Sequence, residues 1–250
     1  MAAGHLGDMI RSKSPFPPLH PWPALRLAAT LGGTLWAIGE LGRTRTPGLS
    51  AHAWARRTLR LMGVEARLTA PIPAGAQVWV SNHLSWLDPL VYLSLRPSRA
   101  MAKAEVAAYP FIGRGASRIG LRFVDRNDPF SRAAALMGMV RDLRAGEDFL
   151  LFPEGTTTRG DRLAPLCQGG LRMAYRLGAR LLPFRLSSSD PHYPWIGDDA
   201  LVPHLKRLAR SRTTQVRVHP GQVLDPAQWR SEEAWLQAIR DHLAPGSMAA

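Results

Sequence analysis

The sequence predicts an α/β fold: a largely parallel sheet flanked by helices and preceded by an N-terminal helical pair. Three observations point to it. Apolar runs of strand length recur along the chain, and longer helical patterns lie between most of them. Polar residues gather just past the ends of the runs, where open parallel sheets carry their ligand crevice. The alternation itself implies parallel pairing, because a parallel strand must be reached by a crossover, usually a helix.

Residues 1–23 read as a flexible arm. The stretch has no apolar core between its first charges and its prolines, so it is not expected to be a secretory signal. Residues 24–65 follow as a helical pair, expected to be membrane-associated. Leu27 to Gly39 carries no charge, and at thirteen residues it falls short of a bilayer span, which takes about 20. That length suits a buried helix or one lying in a membrane interface. After a linker rich in Gly, Thr and Pro, a second helix is expected over Ala51–Met62. Trp54, Leu59, Leu61 and Met62 supply its apolar content and Arg56, Arg57 and Arg60 its charge. The pair could form a hairpin with an apolar side and a basic rim, or two core helices of a soluble fold.

Residues 66–250 are expected to form the α/β domain. Strands are predicted at Gln77–Ser81, Arg99–Lys103, Leu121–Asp125, Phe149–Phe152, Arg180–Leu186 and Gln215–His219. Helices are predicted at Pro89–Leu95, Pro129–Arg144, Leu166–Leu177 and Glu232–Leu243.

The formal net charge of +13, with all but three of the 32 basic residues arginine, implies an anionic partner such as a phosphate-bearing substrate or an acidic membrane surface. Nucleic acid is not expected, because basic residues and aromatics do not interleave along a recognisable binding element. Cys167 is the one cysteine, so neither an intramolecular disulfide nor a thiolate-rich metal site can form.

Four segments carry candidate chemistry. His83, in Ser-Asn-His-Leu-Ser-Trp-Leu-Asp, stands two residues past a predicted strand, with Asp88 five positions on. A carboxylate on the far nitrogen of an imidazole fixes its tautomer and stabilises its protonated form. Asp88 can do this only if the chain bends back, since five residues of regular helix turn the side chain about 140° away. Asp88-Pro89 also reads as a helix start, and Ser85-x-x-Asp88 as a capping box. Phe152-Pro-Glu-Gly-Thr156 ends another strand in a sharp turn that brings Glu154, Gly155 and Thr156 to the crevice, with Arg159 behind. Backbone N–H groups near Gly155 are candidate anion donors. Leu121-Arg-Phe-Val-Asp-Arg126 places Arg126 at the mouth, and Lys103 closes a further strand in the same way.

These segments, in this order and spacing, resemble the bacterial glycerolipid acyltransferase family, best known for 1-acyl-sn-glycerol-3-phosphate acyltransferases. Asn82, His83 and Asp88 match its first signature. Gly120, Phe123, Val124, Asp125 and Arg126 match its second, Phe152 to Thr156 its third and Leu181-Leu-Pro183 its fourth. Thr157 and Thr158 ahead of Arg159, and Phe184 after Pro183, depart from the pattern and bear on the acceptor head group.

The resemblance implies a general base, His83, oriented by Asp88, and an acceptor held by Arg126, Lys103, Arg159, Glu154, Gly155 and Thr156. It implies an acyl-CoA or acyl carrier protein thioester as co-substrate and no bound cofactor or metal. The implied acceptor is a lysophospholipid, foremost 1-acyl-sn-glycerol 3-phosphate, with lyso-ornithine lipid open as the alternative. The expected location is the cytoplasmic face of the inner membrane, peripheral or monotopic. A non-catalytic lipid-binding protein on the same scaffold is the rival from another class; it would need neither His83 nor Asp88.

Overall fold

A computed structural model describes residues 47–108, 121–197, 199–208 and 210–246. The arm, the run from Leu27 to Gly39, and Gly120 lie outside the described residues.

In chain order the elements are α1 (Pro47–Leu61), β1 (Val64–Leu68), β2 (Val78–Ser81), α2 (Asp88–Leu95), β3 (Arg99–Lys103), β4 (Leu121–Val124), α3 (Pro129–Arg144), β5 (Phe149–Leu151), α4 (Gly169–Arg176), β6 (Leu181–Ser188), α5 (Leu201–Leu208), β7 (Thr214–Pro220) and α6 (Glu232–Leu243). The strands form one sheet in the order β1-β7-β6-β2-β5-β3-β4. Every pairing is parallel except β6 with β7.

β2 sits in the middle and is buried along its whole length. Its alternation divides the core. Trp79 faces one side with Ala51, Ala55 and Leu59 of α1 and with Leu90, Val91 and Leu93 of α2. Val78 and Val80 face the other side with Met139 and Leu143 of α3, Leu171 of α4, and Trp235 and Ile239 of α6. The chain leaves β5 on one flank of β2 and returns as β6 on the other. The loops that follow β2 and β5 therefore meet over the carboxyl ends of the strands, where doubly wound sheets bind ligands.

α1 starts one turn before its expected position and ends ahead of Gly63, whose φ of 68° closes the helix in a conformation that suits glycine. Ala51, Ala55, Leu59 and Met62 recur at helical spacing and are buried in the sheet's core, while Arg56 and Arg60 are exposed. The imidazole Nδ1 of His52 also lies 2.7 Å from the carbonyl of Leu93 in α2. The apolar side of this helix thus faces protein, and the boundary drawn at 65/66 falls inside β1. Among the described residues no helix is long and apolar enough to cross a membrane.

β1 and α5 escaped the sequence reading. β1, Val-Glu-Ala-Arg-Leu, is an edge strand with Val64 as its buried residue, too polar to stand out. α5 carries Pro203 in its first turn, where a proline is tolerated but reads as a breaker.

The join between β2 and β6 continues past the strand through Asn82. Its side-chain amide donates to the carbonyl of Leu186 at 3.1 Å, and its Oδ1 accepts from the Leu186 N–H at 2.6 Å. Substituting Asn82→Leu leaves two buried backbone groups unpaired and should lower unfolding free energy by about 2–4 kcal/mol. Urea denaturation measures this, and an unchanged midpoint would mean that Asn82 does not clamp the two strands.

Candidate active site

After β2 the chain does not enter a helix at once. Residues 82–87 form a tight loop, and α2 begins at Asp88 with Pro89 next. The Asp88 side chain turns back over this loop. Its Oδ2 accepts from the N–H of Leu84 at 2.6 Å, from the N–H of Ser85 at 2.9 Å and from Nδ1 of His83 at 2.8 Å. Its Oδ1 accepts from the hydroxyl of Tyr193 at 2.7 Å. The helix-start and imidazole-orienting readings are therefore one structure, because the carboxylate that folds the loop also touches the imidazole. Leu87 occupies the N-cap position and makes no side-chain cap bond.

Asp88 is fully buried, while the His83 ring keeps 18% of its surface. Because the carboxylate only accepts here, Nδ1 of His83 carries the hydrogen and Nε2 keeps its lone pair. The ring stacks on Phe152, with centroids 4.2 Å apart and planes 20° from parallel. One contact fixes the tautomer and the other fixes the plane.

Glu154 is also buried, at 5% exposure. Its Oε1 accepts from the His83 N–H at 2.8 Å and its Oε2 from the Ala164 N–H at 2.9 Å. It therefore latches the loop after β5 to the loop after β2. Pro153 and Glu154 lie inside a turn closed by the Gly155 N–H on the Phe152 carbonyl at 3.1 Å, and Gly155 has a φ of 68°. That N–H is engaged in the turn, so of the backbone N–H groups near Gly155 its own is already paired.

Thr158 explains one departure from the family pattern. Its N–H donates to the His83 carbonyl at 2.7 Å, and the Thr157 hydroxyl donates to the carbonyl of Trp195. These threonines tie three loops together. Thr156 and Arg159 are exposed on the same segment.

Arg126, past the end of β4, donates through Nη1 to the Gly155 carbonyl. Lys103, at the end of β3, pairs with Glu105 at 2.7 Å. The Lys103 hydrogen bond, with a smaller pull from Arg126, holds the Glu105 carboxyl below its ordinary value. The mouth therefore carries both signs of charge. Arg122, which shares a strand face with Arg126 in the sequence pattern, forks instead onto Asp142 of α3 at 2.6 and 2.5 Å. Among the described residues no group of three His, Cys, Asp or Glu could hold a metal ion.

Sequence reasoning missed Tyr193. It lies 105 residues beyond Asp88, in Asp190-Pro-His-Tyr-Pro194, a stretch that reads only as a turn. Its place in the first loop after β6 was the signal available.

A partly exposed imidazole on a buried carboxylate at the carboxyl edge of a largely parallel sheet, with cations at its mouth, suits acyl transfer to a hydroxyl, and the acyltransferase family model matches residues 63–187. The chain belongs to that family and is an acyltransferase. It is 33% identical over 238 residues to a lyso-ornithine lipid O-acyltransferase of Pseudomonas aeruginosa, covering 86% of this chain and 91% of that one. It is 28% identical over 192 residues to a 1-acyl-sn-glycerol-3-phosphate acyltransferase of Neisseria meningitidis, covering 73% and 72%. The fold matches the crystal structure of the 1-acyl-sn-glycerophosphate acyltransferase PlsC of Thermotoga maritima. That match has a TM-score of 0.61 at 17% identity, over 87% of this chain and 96% of that one.

Burial raises the Glu154 carboxyl above its ordinary 4.5, against the opposing N–H groups of Ala164 and His83. With the folded value above the unfolded one, the native state holds the extra proton between them. Glu154 thus contributes stability that is full below pH 4.5 and is lost as pH rises through the raised value. The stability of the wild type relative to Glu154→Gln should fall as pH climbs from 4.5 through the raised value. Urea denaturation at stepped pH measures this, and a flat or rising difference would contradict it.

Proposed function

We propose that this acyltransferase moves a fatty acyl group from an acyl-CoA or acyl carrier protein thioester to the free hydroxyl of a lysolipid. The observation that carries the reading is the 2.8 Å contact between His83 Nδ1 and the buried Asp88 carboxylate, which leaves Nε2 free to act as a base. In this mechanism Nε2 takes the hydroxyl proton as that oxygen attacks the thioester carbonyl carbon. The tetrahedral oxyanion collapses, the carbon–sulfur bond breaks, and the departing thiolate recovers the proton from the imidazolium. Asp88 orients the ring and stabilises its cationic form, as the acid does in a serine triad. The acceptor's own hydroxyl is the nucleophile, so no acyl-enzyme is needed. Glu154 acts through the backbone of His83, and Arg126, Lys103, Arg159 and Thr156 form the rim that meets the head group.

For the acceptor, the mixed rim supports lyso-ornithine lipid. An ornithine head carries one carboxylate and one ammonium, and the Lys103–Glu105 pair with Arg126 offers a counter-charge to each. A phosphate dianion would meet Glu105 as a like charge. The P. aeruginosa relative, matched along most of both chains, supports the same choice. The second reading, 1-acyl-sn-glycerol 3-phosphate giving phosphatidic acid, is favoured by the guanidinium of Arg126 against the Gly155 turn and by the N. meningitidis relative.

The proposed location is the cytoplasmic face of the inner membrane, held peripherally. Support comes from the net charge of +13 and from α3, where Phe130 and Met137 are 84% and 59% exposed on one helix face. The exposed Arg141 and Arg144 fall on the same face by helical spacing.

The test is transfer from a labelled thioester to a panel of lyso-ornithine lipid, 1-acyl-sn-glycerol 3-phosphate, lysophosphatidylcholine and glycerol 3-phosphate. Lyso-ornithine lipid should give the highest kcat/KM, and His83→Ala should cost about 10²–10⁴ in kcat with melting unchanged. An active His83→Ala enzyme would remove the base. Thioester loss that ignores added lysolipid would make the protein a thioesterase.

A further inference from the structure

We propose that Tyr193 is a positioning residue for acyl transfer, holding the Asp88 carboxylate, through a hydrogen bond to Oδ1, in the orientation that aims His83. The proposal rests on the reading of His83 and Asp88 as the catalytic pair.

Asp88 has two oxygens with different jobs. Oδ2 gathers the two loop N–H groups and the imidazole. Oδ1 takes the Tyr193 hydroxyl at 2.7 Å. A carboxylate held only through Oδ2 can still swing about its terminal torsion, which is broad and roughly two-fold. A bond to the other oxygen stops that swing. Tyr193 is fully buried, and desolvation beside Asp88 pushes its phenol well above the ordinary value, so it stays a donor at working pH.

The hydroxyl can position only if its own loop is rigid, and that loop is tied on every side. The Tyr193 N–H donates to the Asp190 carbonyl at 3.1 Å, and Asp190 accepts from the Thr214 hydroxyl at the start of β7. The Trp195 N–H donates to the Leu84 carbonyl, within the catalytic loop itself, at 2.8 Å. From α5, His204 reaches the Tyr193 carbonyl with Nε2 at 3.2 Å, while its Nδ1 accepts from the indole of Trp86 at 3.0 Å. Accepting at Nδ1 places the hydrogen on Nε2, so His204 donates to Tyr193 as a neutral ring; its burial lowers its basicity in the same sense. Trp86 belongs to the loop between His83 and Asp88, so the circuit leaves and re-enters the catalytic loop. Both Tyr193 and His204 lie beyond residues 63–187, the part that the family model matches.

The experiment compares Tyr193→Phe, Asp88→Asn and the double variant in the full-length enzyme, with kcat, the KM for each substrate and the melting temperature. Tyr193→Phe is expected to lower kcat about tenfold, the size of losing a hydrogen bond to a charged group, with both KM values unchanged. In the Asp88→Asn background the same change should cost little more, because the carboxylate it served is gone. Wild-type kcat in a folded Tyr193→Phe enzyme, or equal losses in both backgrounds, overturns the proposal. Where Tyr193→Phe fails to fold, 3-fluorotyrosine at position 193 keeps the ring and hydroxyl but donates more strongly, drawing charge from Asp88. It should lower kcat two- to threefold, as an order of magnitude for a strengthened bond, at unchanged KM, and no change overturns the assignment. The two readings separate cleanly: active His83→Ala and Asp88→Asn enzymes sink the catalytic pair, whereas inactive ones beside an unimpaired Tyr193→Phe sink this inference alone.

Discussion

One buried carboxylate organises this molecule's working end. Asp88 is fully enclosed, and four donors meet it: two backbone N–H groups of its own loop, the imidazole of His83 and the phenol of Tyr193. An unpaired charge at such depth is costly, and hydrogen bonds to both oxygens offset that cost. The requirement that Asp88 be satisfied shapes the loop after β2, starts α2 where it does, and draws the loop after β6 across the crevice. The imidazole's tautomer follows from the same bonds.

Glu154 does the complementary task at the same edge. It holds the His83 backbone, joining it to Ala164 ten residues further along its own loop. With Thr158 on the His83 carbonyl, the peptide groups on both sides of that residue are pinned. A base held this way keeps its lone pair aimed without help from substrate, which is what positioning catalysis needs. The rim is different in kind. Arg126, Lys103, Glu105 and Arg159 are exposed, and the proposed function gives them the choice of acceptor.

Much of the fold was legible because the sheet's interior strands are buried on both faces and read as apolar runs. Arg99–Lys103, Pro129–Arg144 and Glu232–Leu243 agree with expectation to the residue. β1 was lost because a polar edge strand has half the apolar signal, and the second helix of the expected membrane pair turned out to lend its apolar side to the core. A helix that packs on a sheet and one that lies on a bilayer share the same amphipathic pattern. The pattern cannot distinguish their partners.

The site was legible for the segments that follow strand ends, and His83, Asp88, Glu154 and Arg126 do converge. What sequence could not give was the division of labour. Glu154, expected to hold the acceptor, has its two oxygens on the N–H groups of His83 and Ala164; the Gly155 N–H closes a turn; Tyr193, far along the chain, looked like nothing. Those outcomes depend on which loop meets which, and that is set by β6 crossing to the far side of β2.

The site works through a protonation geometry: His83 carries its hydrogen on Nδ1, toward Asp88, and presents a bare Nε2 to the crevice. Proton–nitrogen correlation spectra of the enzyme with isotope-labelled histidine, recorded at alkaline pH and assigned by the signals missing in His83→Gln, read that geometry directly. His83 should show a protonated Nδ1 and an unprotonated Nε2. A hydrogen resident on Nε2, or rapid exchange between both tautomers, would contradict it.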